Sequence, residues 1–135
     1  MSINIQRNQK KRVVIVGGGL GGLRLAEDLY GSGMQVVLID KNNFHQFPPL
    51  IYQIASAGID PSSISFPFRQ IFRKRKDFYF RMAEARMVDT DKKILQTSIG
   101  KIDYDYLVLA AGATTNFFGN KNIEEWAIPM KTVPE

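Results

Sequence analysis

The sequence predicts an α/β fold in which a parallel sheet is combined with an antiparallel β-meander. The chain of 135 residues contains three short, continuous apolar runs, which are Val13–Val16, Val36–Ile39 and Leu107–Ala111. Such runs are typical of parallel strands that are buried on both faces. A helical pattern separates the first two runs, whereas turn signals and short alternating segments precede the third. The β-α-β unit at the start favours a Rossmann-like domain, but a plain NAD-binding Rossmann domain would continue as β-α-β-α, whereas here a meander replaces the second half and returns to one buried strand.

The turn after the first apolar run has the pattern Gly-x-Gly-x-x-Gly, and each glycine has a physical role. Gly17 allows the tight turn out of the strand, Gly19 lets the backbone approach a pyrophosphate, and Gly22 lets the helix pack close to the strand. The helix N-terminus then directs free N–H groups and its positive dipole end at the phosphates. Asp40 ends the second run, where a carboxylate can accept the hydroxyls of an adenosine ribose. The unit predicts a dinucleotide site, and its acid disfavours the 2′-phosphate of NADP.

The sequence predicts a helical region on either side of a proline-rich loop. The first helix is expected over Leu20–Ser32, with Gly33 as its C-cap. Prolines at positions 48 and 49 mark a loop, after which Leu50–Ala57 is expected to form a short helix. A further helix is expected over Ser63–Arg75, broken or shifted by Pro67.

In the second half of the chain, the sequence pattern predicts several strands. Short strands are expected over Asp77–Phe80, Ala83–Asp89, Lys93–Thr97 and Lys101–Tyr106. The last of them leads into Leu107–Ala111, which we expect to be buried on both faces. This strand ends at Gly112, where a small residue lets the backbone come close to a ligand. Residues Thr114–Glu135 are expected to form a loop.

The composition excludes several kinds of chemistry. The chain has no cysteine and one histidine, His45, which excludes disulfides, thiol catalysis, zinc-thiolate sites and multi-histidine metal sites within it. No metal site is therefore predicted. There is no apolar run long enough for a transmembrane helix, and residues Met1–Lys11 are not expected to act as a signal peptide. Residues 1–11 are expected to form a basic, disordered N-terminus.

The net charge of +5 is concentrated in two basic runs, Lys10–Arg12 and Arg69–Lys76. Runs of this kind usually form a solvated face, and attraction to an anionic membrane surface is the sharper alternative. No nucleic-acid-binding motif accompanies them, so nucleic acid is not expected to be a partner.

Three segments carry a resemblance to a known family. The glycine turn and the segment Tyr104–Gly112 resemble flavoproteins with two dinucleotide-binding domains, whose second motif is an Ala-Thr-Gly strand; here Ala111 replaces the threonine. The stretch Asp40–Gly58 is similar to type II NADH dehydrogenases, the single-subunit NADH:quinone oxidoreductases. Their pattern there is approximately D-K-x-x-x-H-x-F-x-P-L-L-Y-Q-x-A-x-G, from which Ile51 is a conservative departure.

The resemblance implies a Rossmann-like FAD-binding domain that is incomplete because it is truncated. Residues 12–135 would be its N-terminal part, within a longer enzyme that passes electrons from NADH through FAD to a membrane quinone. The NADH and quinone sites would lie outside this chain, and the segment alone would be inactive. The whole enzyme would attach peripherally to the cytoplasmic side of a membrane, with a homodimer as a possible assembly.

The resemblance also assigns roles to individual residues. The pyrophosphate of FAD would be held by Gly17, Gly18, Gly19, Leu20, Gly21 and Gly22. The adenosine would be contacted by Asp40 at the ribose, Lys41 near the adenine and the backbone of Ala85. The isoalloxazine ring would lie near Pro49 and Leu50, and the central part of the cofactor near Ala110, Ala111 and Gly112. No catalytic side chain is expected, and His45 either orders its loop or is an exposed loop residue.

Two alternatives stay open. The chain could belong to a flavin-dependent NAD(P)H reductase with a soluble acceptor, such as a ferredoxin or rubredoxin reductase, although those enzymes lack the Phe47–Gly58 pattern. In isolation it could be a non-catalytic nucleotide-binding module. The absent cysteine pair excludes disulfide reductase chemistry in this segment.

Overall fold

A computed structural model describes residues 2–134 of the chain. Its strands, in chain order, are β1 Arg12–Val16, β2 Gln35–Asp40, β3 Phe44–Gln46, β4 Ser65–Pro67, β5 Phe78–Met82, β6 Ala85–Asp89, β7 Ile94–Thr97, β8 Gly100–Asp103 and β9 Tyr106–Leu109. Its α-helices are α1 Leu20–Asp28, α2 Ile51–Ala55, α3 Phe68–Ile71 and α4 Lys121–Trp126. Two 3₁₀ turns, Pro48–Leu50 and Pro61–Ser63, precede α2 and β4.

The strands form three sheets. Four parallel strands are arranged in the order β5-β2-β1-β9, and the antiparallel meander β6-β7-β8 forms a second sheet. The hairpin-like pair β3-β4 is antiparallel and lies in the segment between β2 and α3. The predicted α/β class with a parallel sheet and an antiparallel meander is confirmed. Because β1 and β2 are parallel in register, the turn after β1 and the end of β2 lie at the same edge of the sheet.

The two central strands of the parallel sheet, β1 and β2, are buried on both faces, which explains their continuous apolar runs. Side chains alternate along β1, so that Val14 and Val16 join a core with the meander and Val13 and Ile15 join a second core with α1 and α3. The second core contains Phe68, whose side chain is fully buried. This core fixes α3 against the sheet close to the glycine turn.

The N-terminal segment is packed, so the expectation of disorder over residues 1–11 is wrong for the described part of it. Ile3 and Ile5 are buried in the core that the meander shares with the sheet. The backbone N–H of Ile3 donates to the carbonyl of Lys101 at 2.9 Å, and Arg7 forms ion pairs with Asp103 and Asp105. The polar composition of the segment concealed two alternating apolar residues that reach the core. Met1 lies outside the described residues.

Two helix predictions also need correction. The helix expected over Ser63–Arg75 is replaced by β4 and the four-residue α3, because Pro67 has no N–H to donate and favours extended backbone before it. The first helix ends at Asp28 rather than Ser32, and the backbone that follows has a φ of +80° at Gly31. Both helices are therefore shorter than predicted, one because of Pro67 and the other because the backbone leaves the helical conformation before Ser32.

The C-terminal part differs from expectation in two further ways. The strand expected over Leu107–Ala111 is β9, and it is not buried on both faces, since Tyr106 is 54% and Leu109 66% exposed. Among residues 2–134 it pairs in the parallel sheet with β1 alone and so forms the edge of that sheet. The expected loop at Thr114–Glu135 contains α4, whose N-cap Asn120 accepts a hydrogen bond from the N–H of Ile123 at 3.1 Å. Glu135 lies outside the described residues.

Candidate functional site

The glycine turn begins where β1 ends. Gly17 has a φ of +101°, and its N–H donates to the carbonyl of Ile39 on β2 at 2.8 Å. A Cβ at this position would overlap the carbonyl of Ala110, which follows β9. The tight turn predicted at Gly17 is therefore confirmed, and it is enforced both by backbone conformation and by the close approach of a neighbouring strand end.

Gly18 is required for a reason that the sequence did not reveal. It is buried, and a Cβ there would overlap the ring of Phe68 at the start of α3. That ring also packs against Phe80 of β5, with 4.9 Å between the ring centroids. The second glycine of the triple Gly17-Gly18-Gly19 thus makes room for a core aromatic side chain. In the sequence, only the presence of a glycine at position 18, where the motif allows any residue, could have indicated this contact.

The remaining glycines divide into an open pair and a packed one. A Cβ at Gly19 or Gly21 would meet no protein atom within 4 Å, so the space beside them is free for a ligand. A Cβ at Gly22 would overlap the carbonyl of Gly17 and come within 3.4 Å of the Ala110 Cβ. Gly22 therefore allows close packing of α1 against the turn and the end of β9, as predicted.

The N-terminus of α1 is open. Its N-cap is Gly19, which provides no side-chain cap, and its first turn contains no acidic residue. The first N–H groups of a helix have no acceptor within the helix, and they carry its positive dipole end. Leu20, the first helical residue, is 51% exposed. The N–H groups at this end of the helix can donate hydrogen bonds to the oxygens of a phosphate.

Asp40 connects the end of β2 to the glycine turn. One carboxylate oxygen, Oδ2, accepts a hydrogen bond from the N–H of Gly18 at 2.6 Å, and Oδ1 accepts one from the N–H of Asn42 at 2.7 Å. A carboxylate offers about four lone-pair positions. The partly buried Asp40 therefore orders the loop and retains capacity to accept further hydroxyl groups.

His45 is a second contact of the same glycine. Its side chain is buried, and its Nδ1 lies 2.9 Å from the carbonyl oxygen of Gly18. Because a carbonyl only accepts, Nδ1 carries the proton and donates. The alternative of an exposed loop histidine is wrong. The paired strands β3 and β4 hold His45 opposite Phe66 and so place it beside the turn.

The end of β9 reaches the same place. The N–H of Ala110 donates to the carbonyl of Val16 at 2.7 Å, which continues the pairing of β9 with β1. Ala111 and Gly112 follow it and are exposed, and Gly112 has a φ of +72°. The structure thus brings Gly17, Ala110 and the start of α1 together at one edge of the sheet.

Four predicted residues lie away from this cluster. Lys41 is exposed next to Asp40, and Pro49 and Leu50 lie in the 3₁₀ turn before α2. Ala85 is the first residue of β6, and the nearby N–H of Ala83 donates to the carbonyl of Asp40 at 2.8 Å. Within residues 2–134, no hydrogen bond joins these four residues to the glycine turn. That part of the chain also contains no group of three or more side chains able to hold a metal ion.

The sheet order, the glycine turn and the open helix end define a Rossmann-like domain of the kind found in FAD-binding flavoproteins. The family model described as pyridine nucleotide-disulphide oxidoreductase matches residues 11–133, and the chain belongs to this family.

Three similar proteins are informative. The type II NADH:quinone oxidoreductase NdhA of Mycobacterium tuberculosis is 34% identical in an alignment 132 residues long, which covers 93% of this chain and 28% of the relative. The solved structure of NDH2 from Plasmodium falciparum in complex with NADH matches with a TM-score of 0.86 at 25% identity, over 93% of this chain and 27% of that one. The sulfide:quinone oxidoreductase of Aquifex aeolicus matches with a TM-score of 0.74 at 32% identity, over 79% of this chain and 25% of that one.

The chain therefore spans little more than a quarter of the length of these proteins. Residues 11–133, which the family model matches, contain the glycine turn, the meander and the end of β9. Among residues 2–134, none of the helices has the length and apolar character needed to cross a membrane.

Proposed function

We propose that this chain forms the N-terminal part of an FAD-binding domain, within an oxidoreductase that passes electrons from NADH through FAD to a membrane quinone. The single observation that supports the cofactor site best is the glycine turn, in which Gly19 and Gly21 face open space beside an uncapped helix N-terminus. The similarity to NdhA and to NDH2 supports the electron donor and acceptor.

The residues of the chain would act by binding and orienting the cofactor. The N–H groups at the start of α1 would hold the pyrophosphate, and the free lone pairs of Asp40 would accept the hydroxyls of the adenosine ribose. We retain Lys41 and Ala85 as candidates for the adenine, Pro49 and Leu50 for the ring system, and Ala110, Ala111 and Gly112 for the middle of the cofactor. When bound, FAD supplies the hydride and electron chemistry.

No side chain of this segment is assigned an acid or base role in this proposal. Asp40 is occupied by backbone N–H groups, and His45 donates to the carbonyl of Gly18. Both side chains are therefore engaged in holding the loop, which supports a binding role rather than a proton-transfer role for this part of the enzyme.

The quinone acceptor has broader support than the donor. The names of NdhA and of the sulfide:quinone oxidoreductase share the acceptor and differ in the donor. The NADH-bound NDH2 structure matches more of this chain and with a higher TM-score than the sulfide:quinone oxidoreductase does, which favours NADH over sulfide. We further propose peripheral attachment to the cytoplasmic side of the membrane and a homodimer for the whole protein, on the basis of the family resemblance.

The cofactor proposal is tested by titrating the chain with FAD and with FMN, following flavin fluorescence. We expect saturable binding of FAD and much weaker binding of FMN, because FMN lacks the adenosine monophosphate part of FAD, and with it the ribose and one of the two phosphates that Asp40 and the glycine turn would hold. ADP is expected to displace FAD. Equal affinity for FAD and FMN, or no displacement by ADP, would contradict the assignment of this site to the adenosine half.

The electron-transfer proposal needs a separate test in the longer protein. Oxidation of NADH by a short-chain quinone should proceed, whereas sulfide should not reduce the flavin. Reduction of the flavin by sulfide but not by NADH would overturn the proposed donor, and transfer to a soluble rubredoxin or ferredoxin in preference to quinone would overturn the acceptor.

A further inference from the structure

A cavity of about 370 Å³ lies beyond the C-terminal end of α1. It is lined by Tyr30, Gln70, Ile71, Arg73, Lys74 and Arg75. The glycine turn lies at the opposite end of α1, a helix of nine residues that is about 13 Å long. The lining of the cavity includes none of the residues assigned to FAD, and nothing in the proposed function uses it.

The charged side chains that line this cavity are all positive. Its lining contains the three cations Arg73, Lys74 and Arg75 and no carboxylate. Within the described part of the chain, none of the three forms an ion pair, whereas Arg7, Lys10 and Arg12 at the base of the sheet are all paired with aspartates. Three neighbouring, unneutralised cations create a positive potential that attracts anions.

Arg75 is held in a fixed orientation. Its guanidinium carbon lies 4.9 Å from the centroid of the Tyr30 ring and 5.0 Å from that of the Phe72 ring. Contacts with ring faces stabilise a guanidinium group and leave the N–H groups at its edge available. The backbone N–H of Arg75 also donates to the carbonyl of Phe72 at 3.0 Å. Little side-chain freedom would have to be lost when this group binds a ligand.

One donor of Arg75 lacks an acceptor. Its Nη1 is buried and has no hydrogen-bond partner among residues 2–134. A buried donor without an acceptor costs free energy, more so when the donor is charged. Water cannot reach Nη1, so a ligand cannot reach it in this conformation either, and Nη1 marks the buried side of the guanidinium. Nε and Nη2 are not among the buried, unpaired atoms of residues 2–134 and form no hydrogen bond there, so they are the donors that a ligand oxygen in the cavity can reach.

We propose that this cavity binds a phosphate group. The Nε and Nη2 groups of Arg75 can donate to two phosphate oxygens, and Arg73 and Lys74 supply the additional positive charge that a phosphate requires. The group could be carried by a soluble phosphate compound or by a phospholipid headgroup, and the two sources are distinguished by experiment. A phospholipid source would give this chain its own contact with an anionic membrane.

The first arm titrates the chain with inorganic phosphate at constant ionic strength, with chloride as the reference anion, and follows the NMR signals of Arg75 and Tyr30. We expect saturable shifts with phosphate only. Arg75→Gln should weaken phosphate binding about tenfold, and Lys74→Gln by a smaller factor. The matched control Lys92→Gln removes an exposed charge in the turn between β6 and β7 and should have no effect.

The second arm measures co-sedimentation with phosphatidylcholine vesicles, with and without phosphatidylglycerol. Binding that requires the anionic lipid, is lost in Arg75→Gln and is inhibited by inorganic phosphate would assign the group to a headgroup. Phosphate binding without vesicle binding would assign it to a soluble compound.

Two results would overturn the proposal. One is the absence of saturable phosphate binding together with vesicle binding that is absent or unaffected by Arg75→Gln. The other is an equal loss of binding in Arg75→Gln and Lys92→Gln, which would indicate general charge attraction. Should Arg75→Gln fail to fold, Arg75→Lys and Lys74→Gln provide the same comparison. None of these three variants should change the affinity for FAD, which separates this cavity from the site at the glycine turn.

Discussion

The carboxylate of Asp40 accepts a hydrogen bond from the N–H of Gly18 at 2.6 Å, across the gap between the ends of two parallel strands. His45 donates to the carbonyl of the same glycine at 2.9 Å. The donor and acceptor groups of Gly18 are therefore both held by side chains from outside the turn. This arrangement fixes the backbone just before Gly19 and the N-terminus of α1, whose N–H groups are free to bind a ligand. Variants of Asp40, Gly18 and His45 therefore test the site.

The first prediction concerns Asp40→Asn. The amide keeps one acceptor but loses the charge and replaces the other acceptor with a donor, which would face the N–H of Gly18 or of Asn42. We expect the affinity for FAD to fall by about 10- to 100-fold, since hydrogen bonds to charged groups contribute about 1.5–3 kcal/mol. Flavin fluorescence titration measures this.

The matched control for that prediction is Asp28→Asn. Asp28 is an exposed acid of α1 that pairs with Arg24 one turn earlier. Because exposed pairs contribute little, this variant should bind FAD as the unmodified chain does. Equal losses in the two variants would mean that net charge, rather than the position of Asp40, determines binding.

The second prediction separates two adjacent glycines by stability. Gly18→Ala should lower the free energy of unfolding by about 1–3 kcal/mol, because its Cβ overlaps the buried ring of Phe68. Gly19→Ala should leave it nearly unchanged, because its Cβ meets no protein atom. Urea unfolding followed by circular dichroism checks both, and the prediction fails if the two variants lose the same stability.

The third prediction concerns His45→Phe. The ring fits an apolar site but cannot donate, so the carbonyl of Gly18 would lose its side-chain partner in a buried position. The expected loss of stability is about 1–3 kcal/mol. His45→Gln can still donate and should recover part of it. Thermal unfolding of the three proteins provides the measurement, and a Gln variant no better than Phe would argue that shape, not hydrogen bonding, matters at this position.

The fourth prediction is a pH dependence at the opposite edge of the sheet. The N–H of Arg12 donates to the carboxylate of Asp105 at 2.7 Å, and this hydrogen bond, with smaller contributions from Arg7 and Lys11, lowers the pKa of Asp105 below its ordinary value. A lowered pKa stabilises the fold above the ordinary value of about 3.9, and the stabilisation is lost as the pH falls below it.

Urea unfolding of the unmodified chain and of Asp105→Asn at several pH values tests this. The variant should be less stable at neutral pH, and the difference between the two proteins should shrink as the pH falls below about 4. Asp91→Asn, in an exposed turn, serves as the control and should show no such trend. A difference that persists unchanged into acid would contradict the role of the charge.

The part of the site formed by local sequence could be predicted, whereas the part formed by distant contacts could not. Gly17, Gly22 and Asp40 have roles set by the β-α-β unit itself, which the spacing of the motif encodes. The packing of Phe68 against Gly18 could not be predicted, because the expected helix over Ser63–Arg75 hid the strand at Pro67 that positions the ring.

The same distinction applies to the fold. The apolar runs predicted the parallel strands, because a strand that is buried on both faces has apolar residues at every position instead of alternating apolar and polar residues. The runs did not indicate which strand would lie at the edge, and β9 is therefore more exposed than its sequence suggests. Ile3 and Ile5 were missed because two apolar side chains in a polar segment give no periodic signal, although both reach the core.

The affinity of Gly19→Val for FAD tests the central claim most directly. A Cβ at Gly19 meets no protein atom within 4 Å, so the variant should remain folded, with a loss of about 1 kcal/mol because valine is a poorer N-cap than glycine. It should nevertheless bind FAD at least about tenfold more weakly, because the side chain would occupy the space assigned to the pyrophosphate. A folded Gly19→Val variant that binds FAD with unchanged affinity would contradict the location of the cofactor at this turn.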